Sequence, residues 1–311
     1  MIRAALVLFK ILVLFALGAY LFRTTDLNST SDLLMSANIS LVTLAVGLMA
    51  FALLANAARW MLVTKVLTPP IGVGTAVLGT FEAMFFQQIL PTGLGGDASR
   101  TLRARDAGVS LSQSVYGVIV DRANGLLFVA LSILGAGWLS NSLVIKSRLF
   151  WVLLNCSVAI SIGALGAIVV GVFISGERLP RMIRTPLRIT QEYSRCMRNW
   201  YFLTLTLACL FASNAMYILS FKYCALALGV PIAWWDAIII VQGMVLVSII
   251  PFSIGGWGLR EGAALLLFAP LHIQPSSAVA VSVLFGLVLT LLAIFGGTLW
   301  FTCGYKRFYY K

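Results

Sequence analysis

The sequence predicts an all-α polytopic membrane protein with about six full spans plus two opposed re-entrant hairpins in an inverted repeat. Three observations carry that prediction. Of the 311 residues, 60% are hydrophobic and only 10% are charged, against roughly 25% charged in a soluble domain. The apolar residues fall in long runs, which indicate spanning helices rather than the strands of a barrel. A skeleton P-x-x-x-G-G-x-x-x-R occurs twice, at Pro91–Arg100 and Pro251–Arg260, with every matching position offset by 160 residues. No stretch of soluble composition is long enough for a separate folded domain. Residues 1–311 are therefore expected to form a single integral membrane domain, with repeat halves at approximately 39–174 and 201–303.

The net charge is +12, from 22 Lys and Arg against 10 Asp and Glu. In a polytopic chain such an excess marks cytoplasmic loops facing an anionic leaflet, not a nucleic-acid partner. The five cysteines are scattered through or beside apolar segments without CxxC spacing, so they read as small core residues and not as a disulfide framework or metal site. His272, between Pro270 and Pro275, reads as a loop residue.

Arg3 and Lys10 flank and interrupt a first apolar run that reaches Phe22, taken as a retained span with its N-terminus inside. Arg23–Ala37 reads as a polar outer loop. Ile39–Leu62 is the second span, with Arg59 and Lys65 marking its inner end, and Pro69-Pro70 breaks the helix beyond. Residues 75–90 are apolar except for Glu82, Gln87 and Gln88, and end at Pro91. A full crossing there would place Arg100, Arg103 and Arg105 outside. It would also put the later basic cluster of 177–200 outside, violating the positive-inside bias twice. A re-entrant turn at 91–96 keeps both clusters in the cytoplasm. It also requires a cavity or a packed interior around the turn, because non-helical backbone is not tolerated in contact with lipid.

Gln113–Trp138 is the third span, with Asp121-Arg122 near its start, and Phe150–Ile174 is the fourth. The segment 177–200 is basic, with arginines at helical spacing; it reads as a topology determinant or as a surface helix for anionic headgroups. Tyr201–Leu228 is the fifth span. Ile238–Pro251 and Trp257–Ala269 flank the second motif as a hairpin entering from the opposite face. Ser276–Phe301 is the last span, and Lys306, Arg307 and Lys311 place the C-terminus inside. Two similar hairpins entering from opposite faces are an architecture that transporters use to build a site near the midplane.

Gly95-Gly96 and Gly255-Gly256 permit a sharp turn and close backbone approach. A helix starting just after each pair aims free N–H groups at the turn, a ready anion site. Arg100 and Arg260, about one turn in, suit a phosphodiester. Asp97, Asp121, Glu82 and Glu261 balance those guanidiniums, or bind a cationic headgroup or a proton, or, with Arg122, form salt bridges holding the hairpins in place. For both motif arginines two readings stand, the phosphate site and the salt bridges. Gln87, Gln88 and Gln242 read as interhelical hydrogen-bond partners or headgroup contacts. Gln88, Gln242, Glu82 and Ser253 are secondary candidates. No nucleophile–base pair, metal cluster or P-loop is evident, so no catalytic residue, cofactor or ATP hydrolysis is expected.

The runs ILPTGLGGDASRTLRARDAG, VIVDRANGLL and PFSIGGWGLREGAALLL resemble the membrane domain of the lysylphosphatidylglycerol synthase/flippase family, including stand-alone members without the soluble synthase module. The resemblance covers nearly the whole chain. It implies a flippase-like, non-enzymatic role in the cytoplasmic membrane, moving an aminoacyl-, polyprenyl- or glyco-lipid that carries phosphate. It also carries Gly95, Gly96, Asp97, Arg100, Asp121, Arg122, Gly255, Gly256, Arg260 and Glu261 over as motif positions. The alternatives are a lipid-binding scaffold for a glycosyltransferase or lipid synthase, and a membrane transferase using Asp97, Asp121 or Glu261 as a base.

Overall fold

The computed structural model describes residues 26–67, 69–90, 94–139, 143–173, 187, 191, 194, 198–248 and 255–304. The first expected span, Ser253, both motif prolines, most of the basic 177–200 segment and the C-terminal Lys306, Arg307 and Lys311 lie outside them. The described residues contain no strand. They form ten α-helices: α1 Leu27–Met35, α2 Ile39–Val63, α3 Val73–Ile89, α4 Gly95–Asp106, α5 Leu111–Leu139, α6 Arg148–Phe173, α7 Trp200–Ala227, α8 Trp234–Ser248, α9 Leu259–Phe268 and α10 Pro275–Leu299. Four segments are long and apolar enough to cross a bilayer: α2, α5, α7, and α10 with its continuation to Thr302. They are four of the six expected spans, and a fifth is the helix α6.

The expected polar loop at 23–37 is corrected by α1. Asp26 caps this helix, its carboxylate accepting from the Asn28 and Ser29 N–H groups at 3.0 and 3.4 Å and from the Ser29 hydroxyl at 2.6 Å. The Ser29 bonds, hydroxyl first, hold the Asp26 carboxyl below its ordinary range. Leu33 and Leu34 then pack against the main core. A short polar run therefore folds because one capping residue satisfies the first-turn donors and two leucines find apolar cover.

Asparagines start two of the long helices in the same way. Asn38 accepts from the Ser40 and Leu41 N–H groups at 3.0 and 3.3 Å. Asn199 accepts from those of Tyr201 and Phe202 at 3.0 and 3.4 Å. They stand 161 residues apart, within one residue of the 160-residue motif offset, so the internal repeat extends to the helix caps. The packing follows the same pairing. α2 lies along α7; α3 packs on α10 and α8 on α5; α4 packs on α3 and α5, as α9 packs on α8 and α10. Exchanging α2–α5 for α7–α10 maps the α2–α7 contact onto itself and turns each of the others into another member of the set.

Both motif segments are helical hairpins. In the first, Arg103 on α4 returns alongside Glu82 on α3, its Nε donating to Oε2 at 3.0 Å. A Cβ on Gly95 would lie 2.6 Å from the Phe86 carbonyl oxygen, and one on Gly96 2.8 Å from that of Ala83, so the glycines set the closeness of the two arms. In the second, Gly243 on α8 faces Leu267 on α9. The core within the second half is aromatic. Phe221 and Tyr217 on α7 meet Phe285 on α10 edge-to-face, with centroids 5.3 and 5.2 Å apart.

α10 and α3 touch backbone to backbone at Gly296, where an added Cβ would overlap the Phe81 carbonyl oxygen. Gly296→Ala is therefore expected to lower the melting temperature of the detergent-solubilised protein, by about 1–3 kcal/mol of overpacking. Gly47→Ala on α2, where nothing lies within 4 Å, serves as control. Equal melting temperatures for the two variants would contradict the close approach.

Candidate functional site

The tips of the two hairpins meet. Gly255 adopts φ +61° and Gly256 φ +80°, and a Cβ on Gly255 would overlap the Gln88 amide oxygen and lie 3.0 Å from the Gln88 carbonyl oxygen. Beside this contact lies a cavity of about 340 Å³, lined from both hairpins and from α2, α5, α7 and α10. That volume sits at the small end of ligand pockets, roughly 300–1,000 Å³. Its walls carry Gly96, Asp97 and Arg100 from the first motif, Gly255, Gly256 and Arg260 from the second, and Asp121, Arg122 and Gln88. Residues far apart in sequence thus converge on one space.

The charged side chains pair in three groups. Asp121, 1% exposed, accepts from Arg100 Nη1 at 2.9 Å and from Arg59 Nη2 at 3.1 Å, both through the same oxygen. Arg59 also donates to the Asn56 side-chain oxygen at 2.9 Å, and the Arg100 guanidinium lies 5.2 Å from the Trp60 ring centre. Arg122 Nε donates to Asp97 at 2.6 Å; this is the most exposed pair, with side chains 36% and 19% accessible. Arg260 donates from Nε and Nη2 to Glu261 Oε1 at 3.1 and 3.0 Å and stacks 4.6 Å from the Trp257 ring centre. Glu261 also accepts from the Gly258 N–H at 2.6 Å and the Ser282 hydroxyl at 3.2 Å. Arg100 and Arg260 therefore form ion pairs, as one of the two readings expects, and they also line the cavity.

A glycine accommodates one guanidinium in each half. A Cβ on Gly125 of α5 would stand 3.5 Å from Arg59 Nη1, and one on Gly286 of α10 would overlap the Arg260 guanidinium. These glycines are also 161 residues apart. The carboxylates are not equivalent: the first half supplies Asp121 from the long helix α5, the second supplies Glu261 from the hairpin itself.

The two Gly-Gly pairs also differ from the expected form. In the first half the helix begins at Gly95 itself, with Leu94 as the capping residue. In the second half it begins at Leu259, after a turn in which Gly255, Gly256 and Gly258 all have positive φ. The second turn needs backbone angles that only glycine adopts without strain, and the helix cannot start until they end.

Several expected residues lie elsewhere. Glu82 faces a smaller space of about 200 Å³ with Gly95, Ser99, Leu102, Asp106 and Trp300, where it forms an ion pair with Arg103. Gln242 is buried on α8 with its Nε2 unpartnered and does not line the cavity. Glu261 stands behind Arg260, outside the lining. Sequence reasoning placed Arg59 at the inner end of a span; the structure puts it at the cavity, with Asn56, Asn214, Ser213 and Tyr217 as further polar lining. The signal for Arg59 was an arginine four residues inside the C-terminal end of an apolar helix, with Asn56 one turn before it.

Residues 7–297 match the family model described as Lysylphosphatidylglycerol synthase TM region. The chain belongs to this family. It is accordingly a multi-pass membrane protein, related to proteins of lipid modification and translocation. No curated protein matches the chain. Within this lysylphosphatidylglycerol synthase TM-region protein, the three quoted sequence runs contribute the two hairpin tips and the Asp121-Arg122 step of α5, the parts that surround the cavity.

Proposed function

We propose that the chain is a lipid transporter and not an enzyme, moving a phosphate-containing lipid across the cytoplasmic membrane. The lipid is a phospholipid or a polyprenyl-phosphate lipid, made by a separate glycosyltransferase or lipid synthase. The observation that carries this reading is the cavity between two hairpin tips, ringed by Arg59, Arg100, Arg122 and Arg260. Guanidinium groups are matched to phosphate oxygens, and in this reading the acyl chains stay in the bilayer while the headgroup passes through protein. The Gly255–Gln88 contact is the barrier that opens on one side or the other as the halves α2–α5 and α7–α10 rock. Termini in the cytoplasm and hairpins entering from opposite faces follow from the Lys and Arg distribution.

The test is transfer of tail-labelled lipids between leaflets of vesicles containing the purified protein, read by chemical quenching of the outer leaflet. The protein is expected to accelerate transfer over protein-free vesicles. Arg100→Gln is expected to slow it about 10- to 150-fold, the equivalent of a charged hydrogen bond worth about 1.5–3 kcal/mol. Arg100→Lys is expected to fall between, since it keeps the charge but not the planar fork. A folded Arg100→Gln protein transferring lipid at the unmodified rate would sink the proposal, as would a protein without any transfer activity.

A further inference from the structure

We infer that the headgroup accepted by this cavity is a net monoanion: a phosphodiester joined to an uncharged, hydroxyl-bearing group rather than to an amine. The inference rests on the proposed transport function and narrows its substrate by charge.

Among the described residues, the charges around the cavity do not balance. Arg122 is paired with Asp97, and Arg260 with Glu261. Arg59 and Arg100 share the single carboxylate of Asp121. Among the described residues, four guanidiniums against three carboxylates leave one positive charge, and its place is the Arg59–Asp121–Arg100 group. All three of those residues are buried, at 7, 1 and 8% exposure. An uncompensated charge away from water is strongly unfavourable. A phosphodiester brings one negative charge and acceptor oxygens, which is what the group lacks.

Four of the six unpartnered buried polar atoms among the described residues belong to side chains that line the cavity. Arg59 Nε and Arg100 Nε are buried donors without a partner, and Asp121 Oδ1 and Gln88 Oε1 are buried acceptors without one. Buried polar atoms of this kind are ordinarily satisfied by protein, water or ligand. The two donors suit phosphate oxygens. The two acceptors call for O–H or N–H donors on the rest of the headgroup, and charge decides between them. Asp121 Oδ1 belongs to the carboxylate already flanked by two guanidiniums, so an ammonium there restores the surplus that the phosphate removed. The carboxylates of Asp97 and Glu261 are already engaged by arginines. A hydroxyl donates to the same acceptors without adding charge.

Two lipid classes share this chemistry: a phospholipid with a glycerol headgroup, and a sugar joined through phosphate to a polyprenyl chain. The experiment uses the full chain in phosphatidylcholine vesicles with four tail-labelled lipids: phosphatidylglycerol, a polyprenyl phosphohexose, phosphatidylethanolamine and lysylphosphatidylglycerol. At least one of the first two is expected to transfer about tenfold or more faster than either amine-bearing lipid. Whichever of the two leads identifies the source. Arg59→Gln removes the surplus charge, so the ratio of phosphatidylglycerol to phosphatidylethanolamine transfer is expected to fall about tenfold; Arg59→Lys is expected to keep it. Transfer of phosphatidylethanolamine or lysylphosphatidylglycerol as fast as the hydroxylated lipids overturns the charge inference and leaves the transport function standing. Absence of transfer for all four overturns both. If the Arg59 variants do not fold, the four-lipid comparison on the unmodified protein decides alone.

Discussion

Asp121→Ala is expected to cost more stability than removal of either arginine it serves. Its carboxylate is the only one within ion-pair distance of Arg59 and Arg100 among the described residues. Without it, two buried guanidiniums remain side by side with no counter-charge. Removing one partner of a buried ion pair costs about 3–5 kcal/mol, chiefly from the charge left behind, and here two are left. Arg59→Ala does the opposite: it leaves Arg100 and Asp121 as a balanced pair. The order of melting temperatures in detergent is therefore expected to be unmodified protein, then Arg59→Ala, then Asp121→Ala. Asp121→Asn is expected to lie close to Asp121→Ala, because the amide keeps an acceptor but not the charge. An Asp121→Ala protein as stable as Arg59→Ala would refute the shared-carboxylate arrangement.

Gly255→Ala is expected to lose transport while leaving most of the fold in place. The position carries φ +61°, which costs a residue with a Cβ roughly 1–2 kcal/mol. The new methyl would also meet Gln88, overlapping its amide oxygen and lying 3.0 Å from its carbonyl oxygen. The amide can rotate away, but the carbonyl belongs to the end of α3 and moves only with the hairpin. The tips are then held apart and the barrier between them no longer closes. Lipid transfer in vesicles is expected to fall at least tenfold, with a melting temperature above that of Asp121→Ala. Gly229→Ala tests the backbone term alone. It has a similar φ of +70° with nothing within 4 Å, and is expected to cost stability without costing transport. Equal transport by Gly255→Ala and Gly229→Ala would remove the tip contact from the mechanism.

Much of this architecture is legible in the sequence, for identifiable reasons. The long helices α2, α5, α7 and α10 follow from apolar runs that only a helix can carry through lipid. The hairpins follow from proline, paired glycine and the distribution of arginines. The helix α1 was hidden because LNSTSDLLM is short and polar. Its stability comes from the Asp26 cap and from Leu33 and Leu34 against the core, and the second of these has no local signature. The helix α9 starts two residues later than the spacing indicates, because the requirement for positive φ at Gly255, Gly256 and Gly258 is a property of the turn, not of the spacing.

The site divides in the same way. Hydropathy and motif spacing are enough to mark an all-helical membrane chain of the lysylphosphatidylglycerol synthase TM-region family, with two glycine–arginine motifs in two corresponding segments. Those are consequences of hydropathy, period and local backbone chemistry, which neighbouring residues dictate. Helix packing, by contrast, sets Arg59 beside Arg100, leans both on Asp121, and keeps Glu82 and Gln242 apart from the cavity. Ion pairing between helices depends on which faces meet across long stretches of chain. An arginine in an apolar helix announces that it must have a partner, but packing alone chooses which carboxylate that is.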